Sequence, residues 1–144
     1  MSVLVDTGVL YAHHDRDAER HEEAVAVVDE LLDGRFGRPY VSDYIYDETV
    51  TLTRMRTGSF DAARTISDRV LGNDPFPKVF ELLYVGRDDF QETIELWDRY
   101  DDHELSFTDA TLIALCNRRD IDGVVSFDSD FDGLVRRYDP LDYA

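Results

Sequence analysis

Four acids in this chain stand where a carboxylate is costly. Asp6 ends the apolar run Ser2-Val3-Leu4-Val5, and Asp128 follows the run Gly123-Val124-Val125-Ser126-Phe127. Asp109 opens the apolar stretch Asp109-Ala110-Thr111-Leu112-Ile113-Ala114-Leu115, and Glu48 falls on the apolar side of a helical pattern. A charge beside a core needs compensation. Two like charges ~4 Å apart repel by about 4 kcal/mol at an effective dielectric of roughly 20, so four converging carboxylates call for a cation. Hard oxygen ligands select Mg2+, Mn2+ or Ca2+ over Zn2+. No Cys/His cluster has zinc spacing, and His13, His14, His21 and His103 are scattered in polar contexts that read as surface. Mg2+ held by a few carboxylates keeps several waters, and one such water is a nucleophile for phosphodiester hydrolysis.

Each acid also has a purely structural reading. At about 100° per residue, Ile45, Thr49, Leu52 and Met55 share a helix face. Glu48 falls between Leu52 and Met55 on that face, whereas Asp47 points the other way into solvent. Glu48 could instead pair with an arginine. Ser106-Phe107-Thr108-Asp109 fits a capping box, in which Asp109 serves the Ser106 backbone N–H; capping and metal ligation are both open to it and do not exclude each other. Asp6-Thr7-Gly8 could be a turn capping the helix that follows. The run Asp128-Ser129-Asp130-Phe131-Asp132-Gly133 imitates the start of a calcium loop. An EF-hand needs a helix before that loop, and a β-like run precedes it here. Asp128 is therefore read as a strand-end ligand, with Asp130 as a further or water-mediated ligand and Asp132 exposed.

These acids need elements to position them. Strands are expected over Ser2–Asp6, at Tyr40-Val41, over Val79–Val85 and over Gly123–Phe127, with a last edge strand over Leu134–Arg137. Helices are expected over Ala18–Asp33, from the Ser42 cap to about Arg56 with Gly58 as its stop, and over Phe60–Leu71, Asp88–Tyr100 and Ser106–Arg119. Strands separated by helices of this length predict an α/β class fold, a three-layer α/β/α sandwich around a central, mainly parallel sheet. The ligand site of such a sheet lies beyond the carboxyl ends of its strands. Asp6 and Asp128 both fall at such ends.

A length of 144 residues predicts one domain spanning 1–144, and 43% hydrophobic residues suffice for a core. No apolar run approaches the ~18 residues that cross a bilayer. No signal peptide is expected, and the lone Cys116 cannot form an internal disulfide; a cytoplasmic location fits both. The net charge is −17, with 14 of the 15 basic residues Arg and only Lys78 Lys. Such an acidic, lysine-poor surface suits a high-salt cytoplasm, where the Debye length falls to ~3 Å at 1 M, so a halophilic source is expected.

The blocks Val3-Leu4-Val5-Asp6-Thr7, Val41-Ser42 with Glu48, Ser106-Phe107-Thr108-Asp109-Ala110 and Ser126-Phe127-Asp128-Ser129-Asp130-Phe131 occur in that order. Together they resemble the PIN-domain ribonucleases, in particular the VapC-like toxins, over nearly the whole chain. The resemblance implies a PIN-like fold and a Mg2+- or Mn2+-dependent endoribonuclease. Asp6, Glu48, Asp109 and Asp128 match the family's metal-binding acids, and Asp130 matches a frequent additional acid. Thr7 and Ser126 match small hydroxyl residues that orient a carboxylate or water. It further implies an RNA substrate, a small antitoxin partner that inserts a basic side chain among the acids, and a homodimer.

The departure is the surface, because such nucleases offer basic residues near the cleft. The candidates are Arg54, Arg56, Arg118 and Arg119, with Arg136 and Arg137 behind them; each could equally pair with a surface acid. A PIN-like RNA- or protein-binding module without catalysis is the alternative. A receiver-type domain would need a late lysine, and a nucleotide-binding domain a glycine-rich loop. Neither is present.

Overall fold

The computed structural model describes all 144 residues. Along the chain run β1 (Ser2–Val5), α1 (Thr7–His14), α2 (His21–Leu32), β2 (Arg38–Ser42), α3 (Asp43–Thr57) and α4 (Phe60–Leu71). Then come β3 (Glu81–Leu83), α5 (Arg87–Arg99), α6 (Phe107–Arg119), β4 (Gly123–Val125) and β5 (Arg137–Tyr138). Short 3-10 turns cover Ser129–Phe131 and Pro140–Tyr143.

All strand pairs are parallel, in the order β3-β2-β1-β4-β5. β1 is central, and Val3, Leu4 and Val5 are wholly buried, as a strand covered on both faces requires. Val5 pairs with Val125, so β1 and β4 end side by side. A Cβ on Gly123 would collide with the Arg136 carbonyl, which accepts the Val124 N–H at 2.9 Å. The missing side chain lets β5 close onto β4. Six helices complete the α/β/α sandwich expected for the class.

The helix boundaries follow local chemistry. Ser42 Oγ accepts the Ile45 N–H at 3.1 Å, and Gly58 at φ 65° stops α3 in the left-handed region. The expected helices over 42–56, 60–71, 88–100 and 106–119 are all present within a residue or two.

Several expectations need correction. α1 was expected only as whatever a cap at Asp6 might start; its apolar content is high on all sides, with Thr7, Val9, Leu10 and Ala12 buried, so amphipathic periodicity was absent. α2 begins at His21 rather than Ala18. The third strand shrinks to three residues at the sheet edge. The fourth stops at Val125, and the last is Arg137–Tyr138 rather than Leu134–Arg137. Near the C-terminus, Tyr143 packs edge-on to Phe36 at 5.3 Å. His13 and His14 are half-buried rather than on the surface, and burial, with Arg69 nearby, pushes His13 down to about 4. Met55 is 77% exposed, because α3 buries the row Ile45, Thr49 and Thr53 and turns Met55 to the side.

Candidate active site

Parallel pairing places the ends of β1 and β4 together, and their next residues open a cleft of about 740 Å³. Asp6, Glu48, Asp109 and Asp128 all line it, with Thr7 and Ser126.

Asp6 is 8% exposed. Its backbone N–H continues the ladder to the Val125 carbonyl at 3.0 Å, which fixes the side chain at the strand end. Oδ1 accepts the Thr7 N–H at 2.9 Å and Oδ2 accepts the Ser126 hydroxyl at 2.7 Å. Asp6 caps α1, as its structural reading expects, and also lines the cleft. Burial pushes its pKa from 3.8 up to about 6. The Asp109 and Glu48 carboxylates push the same way, whereas the Ser126 and Thr7 hydrogen bonds oppose.

Ser126 is fully buried and joins two of the acids. Its Oγ donates to Asp6 and accepts the Asp128 N–H at 3.0 Å, while its carbonyl accepts from Arg137 Nη1 at 3.1 Å. Asp128 Oδ1 accepts the Asp130 N–H at 2.9 Å, leaving Oδ2 without a protein donor. Asp109 sits in a complete capping box. Ser106 Oγ accepts its N–H at 3.0 Å, and its Oδ2 accepts the Ser106 N–H at 3.2 Å. Oδ1 remains free of protein donors. Burial raises the pKa of Asp109, and Asp128 and Glu48 add to the rise. Glu48 is half-buried on α3, while Asp47 is exposed. No ion pair in the structure involves any of these four acids.

No group of three or more Asp, Glu, His or Cys side chains is already drawn together in ion-holding geometry. The chemistry of the donor set nevertheless fits a hard divalent cation. The donors are all carboxylates, they raise each other's affinity for positive charge, and three of them keep an oxygen free of protein donors. Mutual repulsion, with no arginine ion-paired to any of the four, is the physical sign that a cation is wanted.

The other candidates separate. Thr7 turns its hydroxyl to Thr49 at 3.3 Å, so it serves Asp6 through its backbone N–H. Asp130 lies outside the cleft lining; its pKa is raised first by Asp128 beside it. Arg56 lines the cleft and lies over the Tyr11 ring at 4.7 Å. Arg54 does not: it stacks on Phe60 in a separate groove between α3 and α4. Arg118 and Arg119 are corrected outright as cleft residues. They bind Asp89 at 3.0 and 2.7 Å, which is 2% exposed on α5 and would otherwise be an unpaired buried charge. Arg136 stacks on Tyr138, and Arg137 pairs with Asp132 and Asp139. Sequence reasoning missed Arg20, Tyr11 and Phe127 in the cleft. Tyr11 was hidden by the unrecognised α1, and Phe127 read as strand.

A central parallel sheet with an acid-lined cleft at its carboxyl edge defines a class of α/β protein whose site is built to gather positive charge. The family model described as PIN domain matches residues 3–136, and the chain belongs to that family. It is 25% identical over 132 residues to a VapC ribonuclease of Archaeoglobus fulgidus, covering 91% of this chain and 80% of that protein. Among solved structures it is similar to VapC20 of Mycobacterium tuberculosis, described as a Sarcin-Ricin loop cleaving toxin. That match has 28% identity and a TM-score of 0.73, over 90% of this chain and 92% of the other. VapBC2 from Rickettsia felis, solved bound to a DNA fragment from its promoter, shares the fold at 9% identity, TM-score 0.69, and 96% and 98% coverage.

Proposed function

We propose that the chain is a metal-dependent endoribonuclease of the VapC toxin type. One observation carries this reading: Asp6, Glu48, Asp109 and Asp128, from four separate segments, line a single cleft with no cation of the protein paired to them. The VapC relatives support the same reading. Mg2+ or Mn2+ would be held by these four acids, with Asp130 reaching it through water at most. When bound, such an ion lowers the pKa of a water and neutralises phosphate oxygens. The chain's own residues prepare for it. Ser126 holds Asp6 and Asp128 in fixed relation, the capping box orients Asp109, and burial of Asp6 keeps the acids hungry for positive charge.

The non-catalytic alternative is disfavoured because all four acids reach the cleft. The partners that fit are an RNA substrate and a small antitoxin whose basic side chain enters the acidic cleft, in a cytoplasmic setting. No helix is long and apolar enough to cross a membrane. A homodimer remains part of the proposal and is read by light scattering. The test of the function is an RNA-cleavage assay in molar KCl with Mn2+ or EDTA. Cleavage that needs the metal and vanishes in Asp109→Asn is expected; metal-independent cleavage, or none, would overturn the reading.

A further inference from the structure

Asp128 rides on the loop 127–132, which leaves β4 before the chain returns to the sheet as β5. Two anchors hold that loop. One is Phe131, wholly buried in the core. The other is Arg137 on β5, whose side chain is only 12% exposed. Its Nε and Nη2 donate to the two carboxylate oxygens of Asp132 at 2.8 and 3.1 Å, a bidentate fork. Its Nη1 donates to the Ser126 carbonyl at 3.1 Å and lies 3.2 Å from Asp139 Oδ2. Ser126 is the residue whose hydroxyl joins Asp6 to Asp128. One guanidinium therefore grips the backbone just before Asp128 and the side chain that ends its loop. Arg137 does not itself line the cleft. Asp132, the third acid of the calcium-loop lookalike, is occupied by this arginine and not by an ion.

We propose that Arg137 is a positioning residue for the acidic site: its fork ties the Ser126 carbonyl to Asp132 and so fixes the loop that keeps Asp128 in the cleft beside Asp6. The proposal rests on the metal-dependent reading of the cleft and adds to it a residue that touches neither ion nor RNA. Removing an outer partner of this kind typically weakens metal binding about 10- to 100-fold. The sign of the effect separates positioning from charge. Arg137 is a cation behind a cluster of acids, so by Coulomb's law alone its removal would tighten the binding of a divalent cation. Loss of positioning weakens that binding instead. Loss of a merely structural contact lowers the melting temperature and leaves the ion affinity of the folded protein unchanged. A lysine keeps the charge of Arg137 but not its planar fork.

The experiment measures Mn2+ affinity by electron paramagnetic resonance of the free ion, in molar KCl, where screening over ~3 Å limits long-range charge effects. The proteins are the wild-type chain, Arg137→Gln, Arg137→Lys and Arg136→Gln, each held well below its melting temperature by circular dichroism. Arg136 is the charge control, because it is exposed, stacks on Tyr138 and makes no ion pair. Arg137→Gln should weaken Mn2+ binding about ten-fold or more, and Arg137→Lys should weaken it by a smaller factor. Arg136→Gln should leave it unchanged. The Mn2+ concentration that gives half-maximal RNA cleavage should shift by the same factors. Wild-type or tighter affinity in either folded Arg137 variant overturns the proposal, as does an equal loss in Arg136→Gln. If Arg137→Gln does not fold, the affinity of Arg137→Lys decides. Cleavage of cellular RNA by the wild-type chain reports separately on the ribonuclease reading. A wild-type chain that binds no Mn2+ sinks both, whereas one that binds Mn2+ and cleaves RNA, with wild-type affinity in the Arg137 variants, sinks the role of Arg137 alone.

Discussion

Asp6 carries a large electrostatic penalty, because burial opposes its ionisation. Raising its pKa from 3.8 to about 6 costs the metal-free fold about 3 kcal/mol once the group ionises, at roughly 1.4 kcal/mol per pH unit. Between pH 3.8 and about 6 the folded state holds more protons at this site than the unfolded state. Its contribution to stability therefore falls as pH rises through that window. Urea titrations in EDTA should show this decline, and Asp6→Asn should flatten it and raise metal-free stability at pH 7 by up to about 3 kcal/mol. An unchanged pH profile in the variant would show that Asp6 ionises freely. Protons and metal compete for the same oxygens, so Mn2+ affinity should rise from pH 5 to 7. Asp6→Asn and Asp109→Asn should both abolish RNA cleavage with the fold intact, which activity assays beside melting curves will check. Asp89 works in the opposite sense. Hydrogen bonds from Arg119 hold its carboxyl low, so its contribution is present above the ordinary carboxylate range and lost in acid.

Helix termini do the positioning at the scale of elements. Asp6, Ser42, Ser106 and Asp128 are all N-cap residues, and three of these caps abut the cleft. Ser106→Ala should cost about 1 kcal/mol through the lost cap, and should also reduce cleavage because Asp109 loses a partner. A stability loss with full activity would separate capping from catalysis. The α5–α6 pair is held differently. The buried face of α5 presents Asp89, Thr93 and Leu96, while Phe90, Ile94 and Trp97 stay partly exposed and Phe90 and Trp97 lean on Phe107. The face that α5 turns inward is the one carrying Asp89, which Arg118 and Arg119 pair with, rather than the one carrying Phe90, Ile94 and Trp97. Replacing both arginines by Gln strands a buried charge and should destabilise by about 3–5 kcal/mol, without changing affinity for RNA. Lost RNA binding in a folded double variant would return these arginines to the substrate interface.

The whole molecule carries a charge of −17 on 144 residues. Repulsion among exposed acids is screened over ~10 Å at 0.1 M salt but ~3 Å at 1 M, so melting temperature should climb steadily with KCl. A flat response would remove the halophilic interpretation of the composition. Divalent cations act locally on top of this. Mn2+ at 100-fold its dissociation constant should add about 2.7 kcal/mol at fixed high salt, and Asp6→Asn should lose that gain. Identical melting with Mn2+ and EDTA would argue against a shared metal site.

Much of this was written along the chain. Apolar runs ending in Asp6 and Asp128, the Ser42 and Ser106 caps, and the Gly58 stop are local features, and local sterics and hydrogen bonding settle them. The parallel α/β architecture follows from the alternation of elements. Other features required three dimensions. Whether an arginine faces a cleft or a buried acid depends on which helices pack together, and nothing in Arg56 or Arg118 distinguishes them locally. Ser126 tying Asp6 to Asp128 depends on parallel register between β1 and β4, strands whose residues lie at opposite ends of the sequence. The identities of the four acids were legible because burial makes a carboxylate conspicuous in an apolar run. Their convergence, and the Arg56–Tyr11 pair beside them, were decided by the tertiary fold, since only long-range packing brings separate segments around one cleft.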